Sequence, residues 1–242
     1  MNKVRKRGLI LGIGVPVAVV ALFMIARLAG NNDTAAPIET TAPPVSNSTG
    51  IVEGDTECPK TDGTQKQVTS FASPMKKCID VTKTYVATFD TSEGEIVVEL
   101  DTKGVPGTVN NFVALSRYKY YDGSLIFRTD PSIDIIQGGG KTNIASPGYT
   151  ILDEGGPYKY TEGDLVMARG SDPNSAGSQF FFVTGPNASL LDQQGTYVTF
   201  GKVTKGLDVT KAIMALHKAD DSGLGGAPSR TVTVNSVTIS EK

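Results

Sequence analysis

The chain has 242 residues, with 23 Lys and Arg against 25 Asp and Glu, a net charge of -2, one histidine and two cysteines. That length holds a tail and one domain of about 150 to 160 residues, which can bury about 70% of its unfolded surface. Scattered, balanced charge excludes an electrostatic footprint for nucleic acid, and a lone histidine leaves serine–histidine hydrolysis and multi-histidine metal sites without their parts.

Lys3, Arg5, Lys6 and Arg7 make residues 1–7 a basic, cytoplasmic tail. The uncharged run from Gly8 to Ala26 would reach about 28 Å as a helix. Residues 8–28 are therefore expected to be a single transmembrane anchor, with everything after them outside the cytoplasm. A cleaved signal peptide shares the basic start and apolar run. Arg27-Leu28-Ala29, however, sets a large charged residue where cleavage needs a small one, which favours a retained anchor at the cell membrane. Residues 29–56, rich in Asn, Asp, Thr, Ala, Pro and Ser, cannot offset the entropy of ordering and read as a flexible linker. Cys58 and Cys78 are expected to form a disulfide, so that residues 57–82 are a stapled lead-in.

The domain is expected over residues 83–242. Tyr85 to Phe89 and Glu95 to Leu100 flank Thr91-Ser92-Glu93-Gly94 as a hairpin. Pro106 and Thr108 open an amphipathic helix that presents Val109, Phe112, Val113 and Leu115. Short strands follow near Leu125 to Arg128 and Ile133 to Gln137, then Gly- and Pro-rich loops from Gly138 to Gly163. Gly139-Gly140-Lys141-Thr142 is no phosphate loop, because the first glycine of that motif would fall at Ile135. Further strands are expected at Leu165 to Met167, Phe180 to Val183 and Tyr197 to Val203, and a second helix from Leu207 to His217 makes His217 a surface residue. Val232 and Val234 alternate, as do Val237 and Ile239, with Asn235-Ser236 shifting the phase as a bulge would. Many short strands with two helices suggest a mainly β fold, a closed antiparallel barrel capped at its ends.

Asn174 to Val183, NSAGSQFFFV, begins with turn formers and becomes an aromatic strand, with the amide of Gln179 at the mouth of an apolar surface. Gly177-Ser178-Gln179-Phe180-Phe181 resembles the signature of the cyclophilin-type peptidyl-prolyl isomerases. Phe127, Gln137-Gly138-Gly139, Met167-Ala168, Leu191-Asp192 and Phe200-Gly201-Lys202-Val203 stand around it in the family's order. The resemblance runs from Tyr85 to Ile239 and implies the cyclophilin barrel, no cofactor, and a site that twists X-Pro bonds.

By that resemblance, Phe181 and Leu191 would pack the proline ring, with Phe127, Ile135, Ala168 and Tyr197 also in the pocket. Gln179 and the backbone near Arg169 would hold the peptide, and Gln137 would steady the donor. The family usually reads Phe-His-Arg where this chain has Phe127-Arg128-Thr129. Counted from Gln137, Thr129 stands in the place of the catalytic arginine. Arg128 is the candidate catalytic donor if twisting near Asp130-Pro131 brings its guanidinium to the slot, steered by Asp134; otherwise it makes an ordinary ion pair on the other face. Asp134 stands where a phenylalanine usually floors the slot, and Leu190 where a tryptophan is frequent. The expected function is X-Pro isomerisation assisting the folding of exported proteins, by a monomer whose partners are their proline-containing segments. The alternatives are a non-catalytic proline-peptide or protein-binding module of the same fold, and a scaffold whose slot Asp134 and Tyr197 close.

Overall fold

The computed structural model describes residues 54–221 and 223–242. The expected basic tail, anchor and nearly all of the linker lie outside the described residues, and no described helix is long and apolar enough to cross a membrane.

The expected hairpin forms from β1 (Tyr85–Thr91) and β2 (Gly94–Leu100), whose inward residues alternate into the core. The Thr91 hydroxyl tightens the turn, donating to Gly94 O at 2.6 Å and accepting from Glu93 N at 3.1 Å. The other strands are β3 (Ser124–Ile126), β4 (Arg128–Asp130), β5 (Ile135–Gly138), β6 (Asp164–Met167), β7 (Phe180–Val183), β8 (Thr199–Lys205), β9 (His217–Ala219), β10 (Gly226–Pro228) and β11 (Val232–Glu241). They form one antiparallel sheet of eleven strands in the order β3-β11-β1-β2-β8-β6-β7-β5-β4-β10-β9. The phase shift read in the sequence is a bulge: Asp90 pairs with Ser236 and Thr91 with Val234, leaving Asn235 unopposed.

The expected closed barrel is corrected to an open half-barrel. The sheet ends at β3 and β9, and β3 packs beside β5 without joining it in a ladder, the one pairing there being the isolated bridge of Leu125 to Gly140, just past the end of β5. Two short strands at the far edge went unread because β9 and β10 have three residues each, too few for alternation to show. One of them also corrects the place of His217. The second helix, α2 (Leu207–Met214), stops before it, and His217 opens β9, half-buried, with Nδ1 2.8 Å from Thr129 Oγ1.

Helix α1 (Pro106–Arg117) starts on Pro106, whose missing N–H is no loss in a first turn. No neighbouring side chain caps it. Glu154, from a distant loop and 5% exposed, accepts instead from Gly107 N at 2.9 Å, Thr108 N at 2.5 Å and Thr108 Oγ1 at 2.7 Å. A carboxylate there also complements the positive end of the helix dipole. The inner face of α1 carries Val109, Phe112, Val113 and Leu115 into the main core, where Phe112 meets Phe89, Phe180 and Phe200.

The lead-in is part of this core. Pairing already begins at Gly54, inside the stretch read as linker, with Gly54 N donating to Met75 O at 3.0 Å. Cys58 and Cys78 are bonded, with Cα atoms 5.3 Å apart. Met75 and Ile79 are buried, and Phe71 packs edge-on to Tyr118 at 5.0 Å. Asn110 of α1 holds the segment from both sides, accepting from Cys78 N at 2.7 Å and donating to Lys76 O at 2.9 Å.

A second, smaller cluster of Ile135, Tyr160, Val166, Phe181, Val183 and Ala188 lies apart from the main core. Burial pushes the Tyr160 phenol up to about 12, and those of Tyr121 and Tyr149 are raised by the same cause.

Two measurements test these contacts. Reducing the disulfide, or Cys58→Ser with Cys78→Ser, should lower unfolding free energy by about 3 kcal/mol in the chain-entropy account of a 20-residue loop, read from the denaturant midpoint. The tyrosines hold their protons in the fold and release them near pH 10 when unfolded, about the ordinary phenol value. Stability should therefore be intact below that pH and fall as pH rises through about 12, the Tyr160 value. Denaturant titrations across alkaline pH should show this slope, with a shallower one for Tyr160→Phe.

Candidate peptide-binding site

Side chains alternate across a sheet, and directly paired residues share a face. On β7, Phe180 and Phe182 enter the main core while Phe181 and Val183 enter the second cluster. The pairing carries this sorting across neighbouring strands. Phe181 is opposite Val166 of β6 on one side and Gln137 of β5 on the other. Gln137 is in turn opposite Arg128 of β4. Arg128, Gln137, Phe181 and Val166 thus form one row across four strands, on the face away from the main core.

Thr129 belongs to the other face. It pairs with Ile136, which pairs with Phe182, and it is fully buried. The sequence count sets Thr129 in the arginine's place, whereas the cross-strand pairing puts Thr129 on the core face. Arg128 is the residue facing Gln137.

The Arg128 guanidinium is held from three sides. Nη1 donates to Gln137 Oε1 at 3.0 Å, Nη2 to Asp130 Oδ2 at 2.7 Å, and Nε to Leu224 O at 2.6 Å. Its side chain remains 23% exposed. The ion pair considered for the other face exists, but with Asp130 and on the same face as Gln137. Asp134 does not steer Arg128. Its Oδ2 accepts from Asn187 N at 2.7 Å, and its main chain has φ 48° in the turn between β4 and β5.

Gln137 passes the network on, donating from Nε2 to Gln179 Oε1 at 3.0 Å. Gln179 Nε2 donates to Asn143 O and Ala145 O, each at 3.0 Å. The amide expected to hold peptide is thus engaged with the loop around residues 143–145. Next to this polar line, the Phe181 ring meets Tyr197 edge-on at 5.7 Å and Tyr160 at 6.5 Å. The Tyr160 hydroxyl accepts from Tyr197 N at 2.9 Å and donates to Tyr197 O at 3.1 Å, which fixes that rim. Ile135 is buried in the cluster, and Ala168, Leu191 and Tyr197 pack half-buried against it.

Two expected members stand apart. Phe127 is half-buried but outside both apolar clusters, and its N–H donates to Gln137 O at 3.0 Å. The Arg169 side chain is 6% exposed; it donates to Asp172 O at 2.8 Å and lies 5.9 Å from the Tyr197 ring centre. It braces the rim from behind. Leu190 is 67% exposed beyond Leu191. Sequence reasoning missed Ile133, which packs against the cluster and supplies apolar surface that Asp134 does not. Its signal was there: a lone apolar residue within Asp130-Pro131-Ser132-Ile133-Asp134 has little reason to stand in a turn unless it packs.

A small apolar cluster, with Phe181 and Ile135 each 3% exposed and Leu191 and Tyr197 half-buried around them, stands beside the Arg128–Gln137–Gln179 line and suits the ring and backbone of a short peptide. Comparisons with known proteins agree. The family described as cyclophilin type peptidyl-prolyl cis-trans isomerase/CLD matches residues 86–239. The chain is similar to the peptidyl-prolyl cis-trans isomerase cyp18 of Streptomyces antibioticus, 35% identical over 62% of this chain and 95% of the relative. It is also similar to peptidyl-prolyl cis-trans isomerase B of Bacillus subtilis, 40% identical over 48% of this chain and 81% of the relative. Among solved structures, a Cryptosporidium parvum cyclophilin type peptidyl-prolyl cis-trans isomerase in the presence of the dipeptide Ala-Pro superposes with a TM-score of 0.57 at 28% identity, covering 65% of this chain and 99% of that one. With the match extending from β1 to β11, the chain belongs to the cyclophilin-type peptidyl-prolyl cis-trans isomerase family.

Proposed function

We propose that the protein is a peptidyl-prolyl cis-trans isomerase, with Arg128 as its catalytic donor and the apolar cluster around Phe181 as the seat of the proline ring. The observation that carries this reading is the row Arg128–Gln137–Phe181 across β4, β5 and β7. Rotation about an X-Pro bond faces a barrier of about 18 to 20 kcal/mol, because resonance gives the C–N bond double-bond character. Twisting the amide breaks that resonance and returns the lone pair to the proline nitrogen. A donor beside that nitrogen then binds the twisted amide better than the planar one, and that difference is what lowers the barrier. Phe181, Ile135, Leu191, Ile133 and Tyr197 would bury the ring. Three of the five guanidinium donors are engaged within the protein, which leaves two for substrate. The relatives' names and the Ala-Pro dipeptide present with a solved neighbour support the same substrate class.

The basic start, the apolar run over 8–28 and the disulfide favour a single-pass, membrane-tethered monomer whose domain lies outside the cytoplasm and acts on proline-containing segments of exported polypeptides.

Exchange NMR on an Ala-Pro peptide tests the chemistry, because it reads binding and isomerisation separately. The protein should accelerate cis/trans exchange, and Arg128→Ala should slow it about ten- to a hundredfold, the worth of one charge-assisted hydrogen bond of about 1.5 to 3 kcal/mol. Phe181→Leu should weaken peptide binding. Shifts that need Phe181, without any added exchange, would instead identify a binding module. Cell fractionation checks the tether: the chain should stay with membranes after high-salt washing, and recovery in the soluble cytoplasm would overturn that placement.

A further inference from the structure

We infer that Asp130, together with the β9–β10 hairpin, sets the orientation of Arg128 and so acts as a positioning element for isomerisation; this rests on the function proposed above. The two Asp130 oxygens have separate partners. Oδ2 accepts from Arg128 Nη2 at 2.7 Å, and Oδ1 accepts from Ser132 N at 3.1 Å and Ser132 Oγ at 2.6 Å. The carboxylate is therefore anchored to the turn on one side and aimed at the guanidinium on the other. Asp130 is 6% exposed, so water competes little for that bond. It stands two residues from Arg128 on one strand, on the same face.

The second hold comes from near the far end of the chain. The Leu224 carbonyl receives the Arg128 Nε–H at 2.6 Å. It is brought there by the pairing of Gly226 with Thr129 and by the contact between Thr129 Oγ1 and His217 Nδ1. The approach is close. Gly225 has φ 97°, and a Cβ on it would lie 2.7 Å from Thr129 O and 2.8 Å from Asp130 Cγ. Only a residue without a side chain lets the turn settle against Asp130 and deliver the Leu224 carbonyl. With Nε and Nη2 fixed on one edge and Nη1 fixed on Gln137, the guanidinium plane is set by groups outside the proline slot. Asp130 and the hairpin touch Arg128, and Arg128 alone would touch the peptide.

Asp130→Asn is the discriminating change. It keeps size and shape, but one of the two anchored oxygens becomes an NH2 group, so either Ser132 N–H or Arg128 Nη2–H meets a donor. Exchange NMR on the Ala-Pro peptide, with the full chain in detergent micelles, should show catalysed exchange slowed about tenfold while the peptide Kd changes less than twofold. The Arg128 Nε–H resonance, assigned by its loss in Arg128→Lys, should lose its protection from solvent exchange. Gly225→Ala should have the same signature through the hairpin, which covers the case in which Asp130→Asn does not fold. Unchanged exchange in both variants overturns the inference and leaves the isomerase reading standing. Loss of rate and of peptide binding in equal proportion also overturns it, because that marks a general structural role. No acceleration by the parent overturns both readings.

Discussion

The alternation of side chains along β7 is the constraint on which the rest of the domain depends. Phe180-Phe181-Phe182-Val183 is apolar throughout, so its composition does not say which residue lines a core and which a slot. The sheet decides. Phe180 and Phe182 join Phe89 and Phe112 in the main core at centroid distances of 5.2 to 6.2 Å, and Phe181 is left to the outer face with Tyr160 and Tyr197. A one-residue slip would exchange the two sets, bringing Gln137 and Arg128 onto the buried face and Thr129 out. The site is thus held in register by the same aromatic packing that stabilises the fold. Moving the slot would mean unpacking the core.

The support for that packing is unusually non-local. Helix α1 is capped by Glu154, 46 residues from Thr108 in sequence, and its two buried asparagines face different neighbours. Asn110 binds the lead-in, while Asn111 donates to Gly177 O at 2.8 Å, just ahead of the site strand, and accepts from Tyr149 OH at 2.7 Å. The lead-in reaches the same region: Phe71 N donates to Pro147 O at 2.8 Å, two residues beyond the Ala145 carbonyl that accepts from Gln179. A chain of direct contacts therefore runs from the disulfide-closed segment through the 143–149 loop to the Gln179–Gln137–Arg128 line. The segment before β1 has the packing of a structural part of the domain.

Legible from the residues were the alternation of the β1–β2 hairpin, the dense apolar runs of β6 and β7, and the Asn235 bulge, whose phase shift is visible in Val232, Val234, Val237 and Ile239. The start of α1 was legible through Pro106. What failed was whatever depends on a partner far along the chain. The length of α2 was over-read because Leu216 continues an apolar period; in the structure Leu216 packs against the main core from beyond the helix end. Strands β9 and β10 exist because β4 offers them an edge, which no local pattern states. The sequence leaves the face of Arg128 open for a related reason. Counting back from Gln137 assumes the length of the β4–β5 turn, and the turn from Pro131 to Asp134 sets the pairing at Arg128 opposite Gln137. The site's residue types were readable, whereas their sharing of a face was a property of the pairing.

The surroundings of Arg128 show why that distinction matters for chemistry. A guanidinium on a flexible stem loses side-chain entropy when it is fixed, and a partly buried charge loses hydration. For Arg128 to serve as the proposed donor, both penalties must be met before substrate arrives, or the guanidinium would be averaged over orientations that do not favour the twisted amide. Asp130 supplies the opposite charge, Gln137 and Leu224 supply neutral acceptors, and the three approach from different strands or turns. None is in the aromatic signature, and Leu224 lies 96 residues from Arg128 in sequence. The apolar cluster can be recognised from a short run of residues, but the orientation of the Arg128 guanidinium depends on elements spread from β4 to the last hairpin. A chain that kept Phe181, Gln179 and Gln137 yet lost the seat of that hairpin on β4 would keep the apolar cluster and the amide line, without the held guanidinium that the proposed isomerisation requires.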